Sequence, residues 1–171
     1  MGLFSRTADV SKLAADRDFD GLVKALKDDD TRSEAMEAIV ALNDPAAVPS
    51  LVKLSAKFFS GFDANDAASE TVHRLGPEVA LRPLRVLMEE VGTQWGAIGV
   101  LVGFGEEVAL EPLLEQRGHE NHHLARGAYE GLLKVGTPAA ITAVAKGVET
   151  GPNKWEALRS LEAHWKVPTR N

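Results

Sequence analysis

The chain has 171 residues, 44% of them hydrophobic and 26% charged, enough for one domain with a continuous core, and no apolar stretch is long enough to span a membrane. Lys+Arg 19 against Asp+Glu 25 gives a net charge of −6, which argues against a nucleic-acid binder, whose surface is ordinarily basic. The absence of cysteine excludes a disulfide framework, a zinc–thiolate site and a Cys nucleophile, and agrees with a cytoplasmic location.

Residues 1–17 read as a short lead-in with no signal peptide. A first helix follows, with Phe19 and Leu22 three apart on one face. Asp28-Asp29-Asp30-Thr31 lacks the spacing and glycine of a calcium loop and reads as a capped turn. The next helix carries Ala35 and, one turn on, Ile39. A turn at Leu42-Asn43-Asp44-Pro45 leads to a helix with Val48 and Leu51. Extra residues then fall near Lys57–Asp63, where Phe58, Phe59 and Phe62 form an aromatic cluster that could line a binding loop. Ala68 and Val72 mark the next helix.

The same cycle recurs three more times. The turn Leu75-Gly76-Pro77 precedes Leu81 and Leu84, then a helix with Ala97 and Leu101, within which Gly99 and Gly103 are expected to permit close helix packing. Phe104-Gly105-Glu106 precedes Leu110 and Leu113, then Ala128 and Leu132. Val135-Gly136-Thr137-Pro138 precedes Ile141 and Val144, then Ala157 and Leu161, with a tail over 166–171. The five alanines are spaced 33, 29, 31 and 29 residues apart. Gly caps one helix, and Pro or Glu opens the next. The helix after each turn is termed A and the helix before the next turn B. A helix pair that cannot bury its own apolar face, repeated at a fixed period, predicts an all-α, right-handed α-solenoid of about five pairs over 18–165 within a single domain, 1–171.

Leu75-Gly76, Leu81-Arg82-Pro83-Leu84, Gly105, Leu110-Glu111-Pro112-Leu113 and the Arg126-x-Ala128 start of a B helix resemble the compact HEAT repeats, including those of bilin-attaching lyases. That resemblance implies a HEAT-like fold over roughly 18–165. By analogy it also offers a chaperone-like or lyase-associated role, and less directly a HEAT-like DNA glycosylase, which the acidic charge opposes.

In such solenoids the B helices line the inner wall. Two residues before each alanine of the B helices stand Ser33, Asp66, Trp95, Arg126 and Trp155. Trp95, Arg126 and Trp155 thus fall at one equivalent position in consecutive repeats, and Trp and Arg are the types most enriched at binding hot spots. They are the first candidates for contact with another protein, beside the alternative that the indoles fill gaps between repeats. His119-Glu120-Asn121-His122-His123 formally matches the zinc-hydrolase pattern, with His119 and His123 as ligands. Its place in the turn between an A and a B helix reads instead as a polar turn capped near Asn121 or His122. No nucleophile elbow or phosphate loop appears. The expectation is a non-enzymatic interaction module or scaffold, with no cofactor, no catalytic residue and a protein partner.

Overall fold

The computed structural model describes residues 9–56 and 62–166, with only the backbone of Phe62, Asp63 and Lys166. Among the described residues there are eleven α-helices, one 3-10 turn and no strand. The chain divides into two compact units, 1–87 and 88–171, the division falling inside one helix. The first unit holds α1 (Val10–Ala15), α2 (Phe19–Ala25), α3 (Arg32–Leu42), the 3-10 turn Pro45–Ala47, α4 (Val48–Ser55), α5 (Phe62–Leu75) and most of α6 (Pro77–Glu89). The second holds α7 (Gln94–Gly103), α8 (Glu106–Gln116), α9 (His122–Val135), α10 (Pro138–Thr150) and α11 (Lys154–Lys166).

The turns explain why the helices stop where they do. Gly76, Gly105 and Gly136 adopt positive φ of +81°, +88° and +69°, which turns the chain at least cost when the side chain is absent. Asn43 also takes positive φ, +46°, in the equivalent turn, and Arg17 takes +53° in a turn before α2. Several of these residues are followed by a side chain that caps the next helix. Asp18 accepts from the Gly21 N–H, Asp44 from the Ala46 N–H and Thr137 from the Ala140 N–H. Successive turns are also tied together. Arg17 pairs with Asp44 in the first unit, and Thr137 Oγ1 donates to Glu106 Oε1 at 2.7 Å in the second.

The segment expected as a lead-in contains α1, which packs on both α2 and α3 and buries Val10. It stands beside α3 as α3 stands beside α5, so it takes the place of a B helix from a preceding repeat.

The B-helix register is as expected over four repeats. Ala35, Ala68, Ala97, Ala128 and Ala157 are completely buried, as are Ile39, Val72, Leu101 and Leu132. Leu161 is only half-buried. The A helices require a correction. Of the expected first anchors, Val48 is buried, Phe19, Leu81 and Leu110 are half-buried, and Ile141 is exposed. The fully buried residue is the alanine one position earlier: Ala47, Ala80, Ala109 and Ala140, each four residues before Leu51, Leu84, Leu113 or Val144. The A helices therefore bury an Ala and an aliphatic one turn apart, the same device as the B helices. A small residue lets a neighbouring helix approach, and the aliphatic fills the space beside it.

In the second unit α9 packs on both α7 and α11, so the three B helices form a continuous layer with α9 in the middle. The A helices α8 and α10 pack chiefly on B helices rather than on each other. Gly127 and Gly131 set the close approach of α9. A Cβ on Gly127 would lie 2.6 Å from Ile98 Cδ1, and one on Gly131 would lie 2.9 Å from Leu113 Cδ2. Gly99, expected to serve that purpose, is exposed with nothing within 4 Å of an added Cβ, and Gly103 is exposed as well. Their side of α7 faces outward from the layer, and the close contact is made by the glycines of the facing helix.

Candidate partner-binding face

The register position two residues before each buried B-helix alanine lies at the surface. Ser33 and Asp66 are exposed on α3 and α5 of the first unit. In the second unit Trp95 on α7 is 45% exposed, Trp155 on α11 is 66% exposed, and the Arg126 side chain on α9 is 42% exposed. Because α9 packs between α7 and α11, the shared register position sets Trp95, Arg126 and Trp155 on three consecutive helices of the layer. Neither indole is enclosed in the core, although part of the Trp95 ring fills the space against α9.

Local packing holds each of the three. The Trp95 ring lies over α9 at Gly127, whose absent side chain leaves room for its edge: a Cβ there would lie 3.5 Å from Cζ3. Arg126 Nε donates to Glu130 Oε1 at 2.8 Å, one turn along α9. Its two terminal nitrogens have no partner among the described residues. The Lys154 ammonium stands 5.6 Å from the centre of the Trp155 ring, a cation–π contact at the start of α11. One turn further on, Gly99 and Arg159 are exposed and Glu130 is half-buried.

The stretch 31–57 matches the family model described as PBS lyase HEAT-like repeat. It runs from the Thr31 cap through α3, the Asn43 turn and α4, the same B–turn–A cycle that recurs along the chain. The match, on one cycle of the repeat, supports a HEAT-like repeat protein. No curated protein matches the chain.

The His segment forms the link between α8 and α9. His119 lies outside α9, and its Nδ1 accepts from the Asn121 N–H at 2.9 Å; Asn121 caps α9 by accepting from His123 N–H at 3.0 Å. His119 and His123 therefore do not share a helical face, which the zinc-hydrolase pattern requires. Among the described residues, no three His, Asp or Glu side chains converge as a metal site needs. His122 Nδ1 lies 3.2 Å from Asn153 Oδ1, and the amide of the buried Asn153 donates to the carbonyls of Arg117 and His119. Asn153 thereby staples the α8–α9 link to the start of α11, a role the sequence did not signal.

The Asp28–Thr31 turn is held from inside. Asp28 accepts from the Asp30 N–H, Asp29 pairs with Arg32 at 2.5 Å, and buried Thr31 donates to the Ala25 carbonyl. Phe58 and Phe59, and the Phe62 side chain, lie outside the described residues. Trp165, 80% exposed near the end of α11, was not singled out because it falls outside the register row.

Proposed function

We propose that this HEAT-like repeat protein is a non-enzymatic, cytoplasmic binding module that captures a segment of another protein on the B-helix face of its second unit. The observation that supports this reading is the Trp95–Arg126–Trp155 row: three hot-spot residue types, side by side on α7, α9 and α11, all accessible. Indoles have few rotatable bonds and so lose little conformational freedom on binding, and their exposed parts remain available for a partner to cover. The half-exposed guanidinium on the helix between them supplies direction through its planar donors.

The test is quantitative capture of interacting proteins on the immobilised full chain, followed by the same capture on Trp95→Ala and Arg126→Ala. Each substitution is expected to weaken the specific partner by about 2 kcal/mol or more, roughly 30-fold, while Tm stays near wild type. Unchanged capture by both variants would remove the row from the binding surface.

A further inference from the structure

Charge on the second unit is divided between its two kinds of helix, and the division says what the face would bind. Among the described side chains its B helices carry four cations, Arg126, Lys134, Lys154 and Arg159, against Glu130, Glu156 and Glu162, a balance of 4 − 3 = +1. Its A helices carry Glu106, Glu107, Glu111, Glu115 and Glu149 against Lys146, a balance of 1 − 5 = −4. Among the described side chains the B helices α3 and α5 of the first unit carry Arg32 and Arg74 against Glu34, Glu37, Asp66 and Glu70, a balance of 2 − 4 = −2. In a chain of net charge −6, the Trp-bearing layer is thus slightly basic.

Exposure sharpens the asymmetry. Arg126 and Arg159 side chains are 42% and 67% exposed, whereas their carboxylate partners Glu130 and Glu156 are 28% and 12% exposed. Each carboxylate is tucked toward the helix layer and holds its arginine outward. The Lys154 ammonium stands over the exposed Trp155 indole. Around Arg126 and Trp155 an approaching chain therefore meets indole and cation before the paired carboxylates, while the exposed Glu162 lies further along α11.

Building on the binding reading above, we infer that the face takes an extended acidic peptide segment, with a carboxylate over Arg126 and an apolar residue over each of Trp95 and Trp155. Neighbouring helices lie about 8–10 Å apart, so a strip crossing α7, α9 and α11 is roughly 16–20 Å long. An extended chain covers that in about six residues. The segment then carries one acidic residue, which the free terminal nitrogens of Arg126 grip in a fork, and an apolar residue about three positions to either side. Further carboxylates toward α11 meet Lys154 and Arg159.

A displayed library of random peptides of about 15 residues, selected against the full chain, tests this directly. The expected pool is acidic, with an apolar–acid–apolar spacing of about three residues. Its best peptide, made synthetically, is expected to lose about tenfold or more in affinity on Arg126→Ala and on the Lys154→Ala, Arg159→Ala double variant. It is also expected to weaken steeply between about 0.1 M and about 1 M salt. A neutral or basic pool whose binding still needs Trp95 and Trp155 would overturn the acidic partner and leave the face standing. Binding that survives Trp95→Ala together with Trp155→Ala would overturn the face itself. A library with no enrichment over an unrelated control protein would overturn both.

Discussion

Single residues decide how closely the helices of the second unit approach, and Gly147 is the tightest case. A Cβ there would sit 2.5 Å from both Cε1 and the hydroxyl oxygen of Tyr129, which is 1% exposed. The ring or its helix must shift to admit a side chain, so Gly147→Ala is expected to destabilise by about 1–3 kcal/mol in chemical denaturation. Gly99 is the internal control. It is helical, exposed and open on its outer side, so Gly99→Ala is expected to stabilise by up to about 1 kcal/mol, because glycine spends more backbone entropy on folding. Burial raises the pKa of Tyr129 above 10.0, opposed in part by the nearby Arg117 charge. A group whose folded pKa exceeds its unfolded value contributes stability that is full below the unfolded value and is lost as pH rises through the folded one. Tyr129 is the sole tyrosine of the chain, so tyrosinate absorbance reports it alone. The folded protein is expected to ionise above pH 10 and the urea-unfolded chain near it, with Tm falling across that window less in Tyr129→Phe. A folded-state transition at or below the unfolded one would contradict the burial of the ring.

At the scale of the helix, much was legible because one device repeats. Ala followed four residues later by an aliphatic marks the B helices from the sequence, and their burial follows. Replacing Ala97 or Ala128 by Leu is expected to cost about 1–3 kcal/mol, measured by denaturant unfolding, and a neutral result at both would contradict the register. The same device in the A helices was missed because Leu81, Leu110 and Ile141 share the register of Val48 and draw attention from the alanine beside each. Apolar type alone does not separate a fully buried position from its half-buried neighbour on the flank of the same face. The helix α1 escaped notice because its turn uses Arg17 in place of glycine. A left-handed arginine carries no sequence signal, although the following Asp18 cap does. Asn43 in the equivalent turn was legible, since Asn tolerates that conformation best after glycine.

Across the whole molecule, the repeat is uniform in its core and uneven on its surface. The core positions of the B helices are alike in both units, while the exposed row changes from Ser33 and Asp66 to Trp95, Arg126 and Trp155. Uniform packing specifies the HEAT-like fold, and the surface departures from uniformity carry the candidate function. The row itself was readable from the register. Its accessibility was not, because indoles two residues from a buried alanine fit a gap between repeats as well as an open face. The supporting parts, Gly127 beneath Trp95 and Lys154 over Trp155, depend on contacts between helices or across a turn that spacing does not encode. The most direct test of the central claim places a photo-reactive residue at Gly99 and, separately, at Glu70, which share one register position on the B helices of the two units. Both sites are exposed, so neither substitution disturbs a core contact. With the captured partner or selected peptide bound, cross-linking is expected from position 99 and not from position 70, and it is expected to vanish when Arg126→Ala and Trp95→Ala are combined with the probe at 99. Equal cross-linking from both positions, or adducts at 99 that survive the double substitution, would contradict binding by the Trp95–Arg126–Trp155 face.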